Sequence, residues 1–189
     1  SCDGEWVFCR VLKDGYKGWI KKSSLGRYIE PTHKVNVKNT ILFNKPSVKS
    51  AAYNYISFGS EIKIEEVNEN WAQVFIFKKN KVLKKFIPIS HLVKINYVEQ
   101  DWVRTAEKFL HTPYKWGGKS FLGIDCSALC QISLLSKYKN ISRNSSQQEI
   151  EIGQKIYNQN NNSDLKGLMR GDLVFWIGHV GIMVKNKEI

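Results

Sequence analysis

The chain has 189 residues, 42% of them hydrophobic and 12% aromatic, enough for packed cores and too apolar for global disorder. Its 29 Lys and Arg against 17 Asp and Glu give a net charge of +12, which favours anionic partners. The lysines are scattered along the chain with no nucleic-acid motif beside them, and no apolar run approaches the roughly 18 residues of a membrane helix. Neither nucleic acid nor a transmembrane segment is therefore expected.

The opening SCDGEWVFCR lacks the basic-then-apolar pattern of a secretion signal and reads as the middle of a domain. EWVFCRVL at 5–12 returns as NWAQVFIF at 70–77, with Trp6 answering Trp71. GWIKKSSL at 18–25 returns as KFIPISHL at 85–92, with Trp19 answering Phe86 and Leu25 answering Leu92. The offset grows from 65 to 67, which puts a two-residue insertion in the hairpin loop. Both copies alternate apolar and polar residues, as half-buried strands do, and DG at 14–15 marks a turn.

The second copy has a front half, 35–67, without a counterpart in the first, so the chain is expected to begin midway through its first barrel. With an N-K-P-S loop and an F-G turn before a Trp-bearing hairpin, the pattern resembles tandem bacterial SH3-like domains. The resemblance implies a partial barrel over 1–31 and a complete one over 32–98. Pro31 and Thr32 mark the boundary between them.

At 99 the period changes. QDWVRTAEKFL places Trp102, Val103, Ala106, Phe109 and Leu110 on one helical face, with Asp101 as N-cap. Among the four cysteines, Cys2, Cys9, Cys126 and Cys130, there is no C-x-x-C pair, and no histidine stands at a zinc-finger spacing. Neither a metal site nor a cofactor is expected. Cys2 and Cys9 can pair if oxidised, but sequence does not decide it.

In GIDCSALCQISLLSKY, Asp125 can cap a helix opening at Cys126 or Ser127, with Leu129, Ile132 and Leu135 as its buried stripe beside Cys130 and Leu134. A cysteine in a first helical turn sits at the positive end of the helix dipole, near unpaired N–H groups that favour a thiolate and can bind an oxyanion. A small buried residue is the plainer reading of any lone cysteine. RGDLVFWIGHVGIMV then reads as two strands joined at Ile177 and Gly178, with His179 opening the second. A histidine beside a thiol can take its proton, so Cys126 and His179 are a candidate nucleophile and base.

Together TPYKWGGKSFLGIDCSALCQ, ISRNSSQQ and RGDLVFWIGHVGIMV resemble, in this order, the NlpC-type papain-like cysteine peptidases of the bacterial cell wall. The resemblance implies an α+β catalytic domain over 99–189, an antiparallel sheet with strands at 172–176 and 179–185 packed on the Cys126 helix. It implies hydrolysis of peptidoglycan stem peptides or wall fragments at the γ-D-glutamyl-diamino acid bond, in peptides with a free N-terminal L-alanine, and a place in the cell envelope or in cytoplasmic recycling. Cys126 would be the nucleophile and His179 the base. Asp125 and Tyr114 would receive the terminal ammonium, Trp116 would line the pocket, and Ser127 and Ser145 would donate hydrogen bonds to substrate.

Each role has a structural alternative: Asp125 as a cap only, Tyr114 and Trp116 as core aromatics, Ser145 as the cap of the next helix, with Ser146 an equal candidate. The family's third polar residue, which orients the histidine, would fall beyond Ile189, with Asn186 too early for the role. His33 and His91 belong to the barrels, and His111 follows the first helix. The chain is accordingly expected to be truncated at both ends, and a wall-binding module with a vestigial peptidase domain is the alternative function.

Overall fold

The computed structural model describes residues 2–78, 81–137, 141–156 and 167–185. Contacts divide the chain into two units, Ser1–Arg10 with Lys17–Val98, and Val11–Tyr16 with Glu99–Ile189.

The first unit opens with a three-stranded antiparallel sheet, β1 (Cys2–Asp3), β2 (Trp6–Arg10) and β3 (Lys17–Lys21). It continues through β4 (His33–Val35), β5 (Asn39–Phe43), β6 (Ala52–Ser57), β7 (Glu61–Ile62), β8 (Ile64–Asn68), β9 (Trp71–Lys78), β10 (Lys81–Pro88) and β11 (Leu92–Lys94). These pair as a sheet of order β6-β5-β10-β9-β8 and another of order β11-β4-β7, all antiparallel. Val35, Leu42, Ile62, Ala72, Val74, Ile87 and Leu92 form their shared core. The apolar positions of β9 alternate as the sequence pattern requires: Ala72 and Val74 are fully buried, while Phe75 and Phe77 face outward.

The repeat is visible in strand register. Phe8 pairs with Trp19 in the first hairpin, and Gln73 pairs with Phe86 in the second, which are the positions related by offsets of 65 and 67. Each hairpin then runs into a single 3₁₀ turn, Lys22–Ser24 and Ile89–His91.

The second unit contains α1 (Val103–Glu107), the short pair β12 (Lys119–Ser120) and β13 (Gly123–Ile124), α2 (Cys126–Leu135), α3 (Ser145–Glu151), and the antiparallel hairpin β14 (Leu173–Trp176) and β15 (His179–Ile182). Cys130, Leu134, Ile141 and Val180 form its buried cluster, with Trp102, Cys126, Ile152, Leu173 and Phe175 packed against it. The fold is mixed, with few helices and mainly antiparallel sheets.

Four local expectations change. The first helix is shorter than its apolar stripe, because 3₁₀-type bonds from Phe109 N to Ala106 O and Leu110 N to Glu107 O tighten its end and leave Leu110 exposed. Asp101 accepts from Val103 N at 3.2 Å, though the capping position itself is Trp102. On α2 the buried surface extends well beyond a stripe: Ala128, Cys130, Gln131, Ser133 and Leu134 are buried, while Leu129 and Leu135 are only partly so. Packing by α1, α3 and β15 covers more than one face of that helix. The second hairpin strand ends at Ile182, short of 185.

Candidate active site

Asp125 lies just before α2 in an extended conformation, and its Oδ1 accepts from Ala128 N–H at 2.8 Å. That is an N-cap, and it makes Cys126 the first residue of the helix, among amides that lack intrahelical partners. Cys126 is partly exposed and backs onto the cluster that contains Cys130, whose thiol burial pushes up to about 12. Of the two thiols on this helix, only Cys126 is accessible for chemistry.

The loop ahead of α2 is folded tightly onto β13. A Cβ on Gly118 would stand 2.5 Å from Gly123 O, and one on Gly123 would stand 2.6 Å from Lys115 Cβ. Gly117 has φ +74°, open to glycine at little cost. Its N–H donates to Asp125 Oδ2 at 2.8 Å, which ties the turn to the cap.

Arg143, on the segment leading into α3, closes this arrangement. Its guanidinium donates from Nη1 to Asp125 Oδ1 at 2.9 Å and from Nη2 to Asp125 Oδ2 at 2.6 Å. Nη1 also reaches Ser127 Oγ at 2.9 Å, and Nη2 reaches Gly118 O at 3.4 Å. Burial pushes the Asp125 carboxyl up, but Arg143 and the Ala128 and Gly117 amides outweigh it and hold the carboxyl below its ordinary value.

Two residues expected to meet substrate, Asp125 and Ser127, are held in this network. The Asp125 carboxylate already receives five donors, from Arg143 twice, Ala128, Gly117 and Ser127, against about four lone-pair directions. Ser127, expected to donate to substrate, gives its hydroxyl proton to Asp125 Oδ1 at 3.3 Å and is buried.

The other expected residues lie as follows. The Tyr114 hydroxyl hydrogen-bonds Cys126; desolvation, then the charge of Cys126 and that bond, hold the phenol above its ordinary value. Trp116, two residues on, is 88% exposed, so it is no core aromatic. Ser145 opens α3 and is partly buried, while Ser146 is exposed. His179 opens β15, exposed, and its neighbour Val180 is buried in the cluster against which Cys126 packs. One cluster thus brings together the helix of Cys126 and the strand of His179. Asn186 lies outside the described residues.

His33 and His91 bond Thr32 and Thr40 in the first unit, and His111 sits in a turn at φ +65°. Among the described residues no group of three His, Cys, Asp or Glu side chains is placed to hold a metal, and no helix is long and apolar enough to cross a membrane.

Three residues near the site carried no role in the sequence reading. Arg143 is one. Gln148, fully buried, donates to Ser127 O at 2.9 Å and Ser142 O at 2.8 Å. Trp176 pairs with His179 across the hairpin, with ring centroids 5.7 Å apart. The first two sit in the quoted ISRNSSQQ run, whose polar spacing was the available signal; the third was legible only once the two-residue turn fixed the register.

Comparison with known proteins matches residues 111–189 to the model of the NlpC/P60 family. A gamma-D-glutamyl-L-lysine dipeptidyl-peptidase of Bacillus subtilis is 29% identical over 213 residues, covering 98% of this chain and 65% of that protein. Dipeptidyl-peptidase 6 of Lysinibacillus sphaericus is 36% identical over 92 residues, covering 49% of this chain and 31% of its own length. The chain therefore spans less than two thirds of either relative. The crystal structure of an NlpC/P60 family protein from Bacillus cereus superposes with a TM-score of 0.76 at 23% identity, covering 98% of this chain and 66% of that one, a likeness of fold.

Proposed function

We propose, from the match of residues 111–189 to the NlpC/P60 family model, a cysteine peptidase that hydrolyses peptidoglycan stem peptides at the γ-D-glutamyl-diamino acid bond. The observation that carries it is the placing of Cys126 at the start of α2 on the same buried cluster as the strand that begins with His179. In this reading His179 accepts the Cys126 proton, and the thiolate attacks the γ-carbonyl carbon. The oxyanion that forms is met by free N–H groups of the first turn of α2 and by the Tyr114 hydroxyl. His179 then returns the proton to the leaving amine, freeing the diamino acid and leaving a thioester on Cys126. Water, deprotonated by His179, hydrolyses that thioester and restores the thiol.

Trp116, exposed beside this centre, would supply an apolar wall, and Ser145 a polar contact. Preference for a free L-alanine amine belongs to the same reading, with Asp125 and Tyr114 as its receptors and Ser127 as a further donor to substrate. Residues 1–31 and 32–98 would be SH3-like modules ahead of a catalytic domain at 99–189, acting in the cell envelope or on recycled fragments.

The direct test is hydrolysis of L-Ala-γ-D-Glu-L-Lys by the full chain and by Cys126→Ser. Thiol and hydroxyl are nearly isosteric, but the hydroxyl ionises far less readily, so the variant should fold and lose turnover. Equal turnover in the variant removes the mechanism.

A further inference from the structure

We propose that Arg143 is a positioning residue for Cys126. It locks the turn at 115–118 onto the first turn of α2, and it offsets the charge that Asp125 would otherwise place beside the thiolate. The inference rests on Cys126 as the proposed nucleophile.

The geometry argues for a clamp. The side chains of Arg143 and Asp125 are only 12% and 7% exposed, and a bidentate guanidinium–carboxylate pair is both strong and directional. Its remaining bonds go to two separate elements, to Ser127 on α2 and to Gly118 in the turn. Asp125 N–H bonds Gly118 O at 3.2 Å, and Gly117 N–H bonds the carboxylate, so turn and helix meet at one side chain. Removing the guanidinium would strip bonds from both sides at once.

The electrostatic part follows from position. Asp125 is the residue before Cys126, and an unpaired carboxylate there would oppose a second negative charge. Capping a helix with Asp beside a nucleophilic thiol thus carries an inherent conflict, and the paired cation resolves it. Among the described residues, the other titratable groups on the elements packed about Cys126 are Tyr114 from the preceding loop, Cys130 on α2 and, on β15 next to Val180 of the shared cluster, His179. Lys119 is turned to Gln131 and to Asp14, whose Oδ2 lies 3.6 Å from its ammonium. Among these groups, Arg143 alone supplies a permanent cation to the Asp125 carboxylate.

The experiment is the pH profile of iodoacetamide alkylation at Cys126 in the full chain. Peptide mapping by mass spectrometry separates this site from Cys2, Cys9 and Cys130. Arg143→Gln should move the profile to higher pH, with alkylation at the parent's half-maximal pH falling about tenfold. Asp125→Asn, which keeps a capping oxygen, should move it the other way. The double variant should return to within about threefold of the parent, because charge is removed in balance. Arg143→Lys should stay near the parent in pH while losing the fork.

A profile in Arg143→Gln that coincides with the parent overturns the proposal, as does a double variant that remains shifted like the single. Should Arg143→Gln fail to fold, Asp125→Asn shifted to lower pH with the double variant near the parent supports the proposal, and coincident profiles of those two variants overturn it. The measurement needs no substrate. A protein that alkylates as expected yet cleaves no stem peptide would remove the peptidase reading and leave the clamp standing.

Discussion

Trp176 and His179 face each other as a cross-strand pair of the β14–β15 hairpin, their rings inclined at 40° with centroids 5.7 Å apart. They flank the turn at Ile177 and Gly178, so the indole limits the orientations open to an otherwise exposed imidazole. Trp176→Ala should lower kcat roughly tenfold with KM little changed, the pattern of a misplaced catalytic group. His179→Ala should cost about a hundredfold or more. Steady-state kinetics on a stem tripeptide checks both, and a Trp176→Ala effect confined to KM would assign the indole to substrate binding.

The Asp125 carboxyl gives folding a definite pH dependence. Its folded-state value is held below the ordinary 3.8, so its contribution is fully present above that value and disappears as pH falls through the folded value. Urea denaturation across the acid range should show this loss in the parent, and Asp125→Asn should flatten it. Asp125→Ala, which removes the cap and strands a buried guanidinium, should cost about 3–5 kcal/mol at neutral pH.

Removing the Tyr114 hydroxyl separates two roles. If the phenol donates to the oxyanion, Tyr114→Phe should reduce kcat by about a hundredfold with only a small change in KM. Unchanged kcat with a raised KM would place the hydroxyl on the substrate instead.

Two glycines should differ in their tolerance of alanine. At Gly118 the added methyl meets backbone atoms at 2.5 and 2.8 Å that cannot withdraw, and a loss of about 1–3 kcal/mol is expected. At Gly178 nothing lies within 4 Å, and the expected cost, about 1 kcal/mol, comes only from φ +76°. Thermal denaturation of the two variants should rank them in that order.

The local features of the site were legible because they are written in adjacent residues. An Asp before a Cys-led apolar helix is a capping signal, and Ile-Gly between two alternating runs is a hairpin turn. Arg143 and Asp125 are 18 residues apart with no shared period, and nothing in either residue's neighbourhood announces the other. Thr105, Gln131 and Gln148 are buried although polar. A hydropathy pattern assigns such residues to the surface; Gln131 and Gln148 find their hydrogen-bond partners only after tertiary packing. Leu110 shows the converse, an apolar residue released to solvent by the tightening of a helix end.

The matched register of the two Trp-bearing hairpins separates what a repeated unit must keep from what it can alter. Inward positions correspond as Val7 with Ala72, Cys9 with Val74, and Ile20 with Ile87, apolar in every case. Outward positions do not: Phe8 and Trp19 stack at 5.3 Å in the first hairpin, where the second sets Gln73 against Phe86. Lys21, its ammonium 5.4 Å from the Trp6 ring, corresponds to Pro88. A repeated hairpin of this kind can diversify its solvent face rung by rung without disturbing its inward face, while differences in length collect at the tip, where they break no strand pairing.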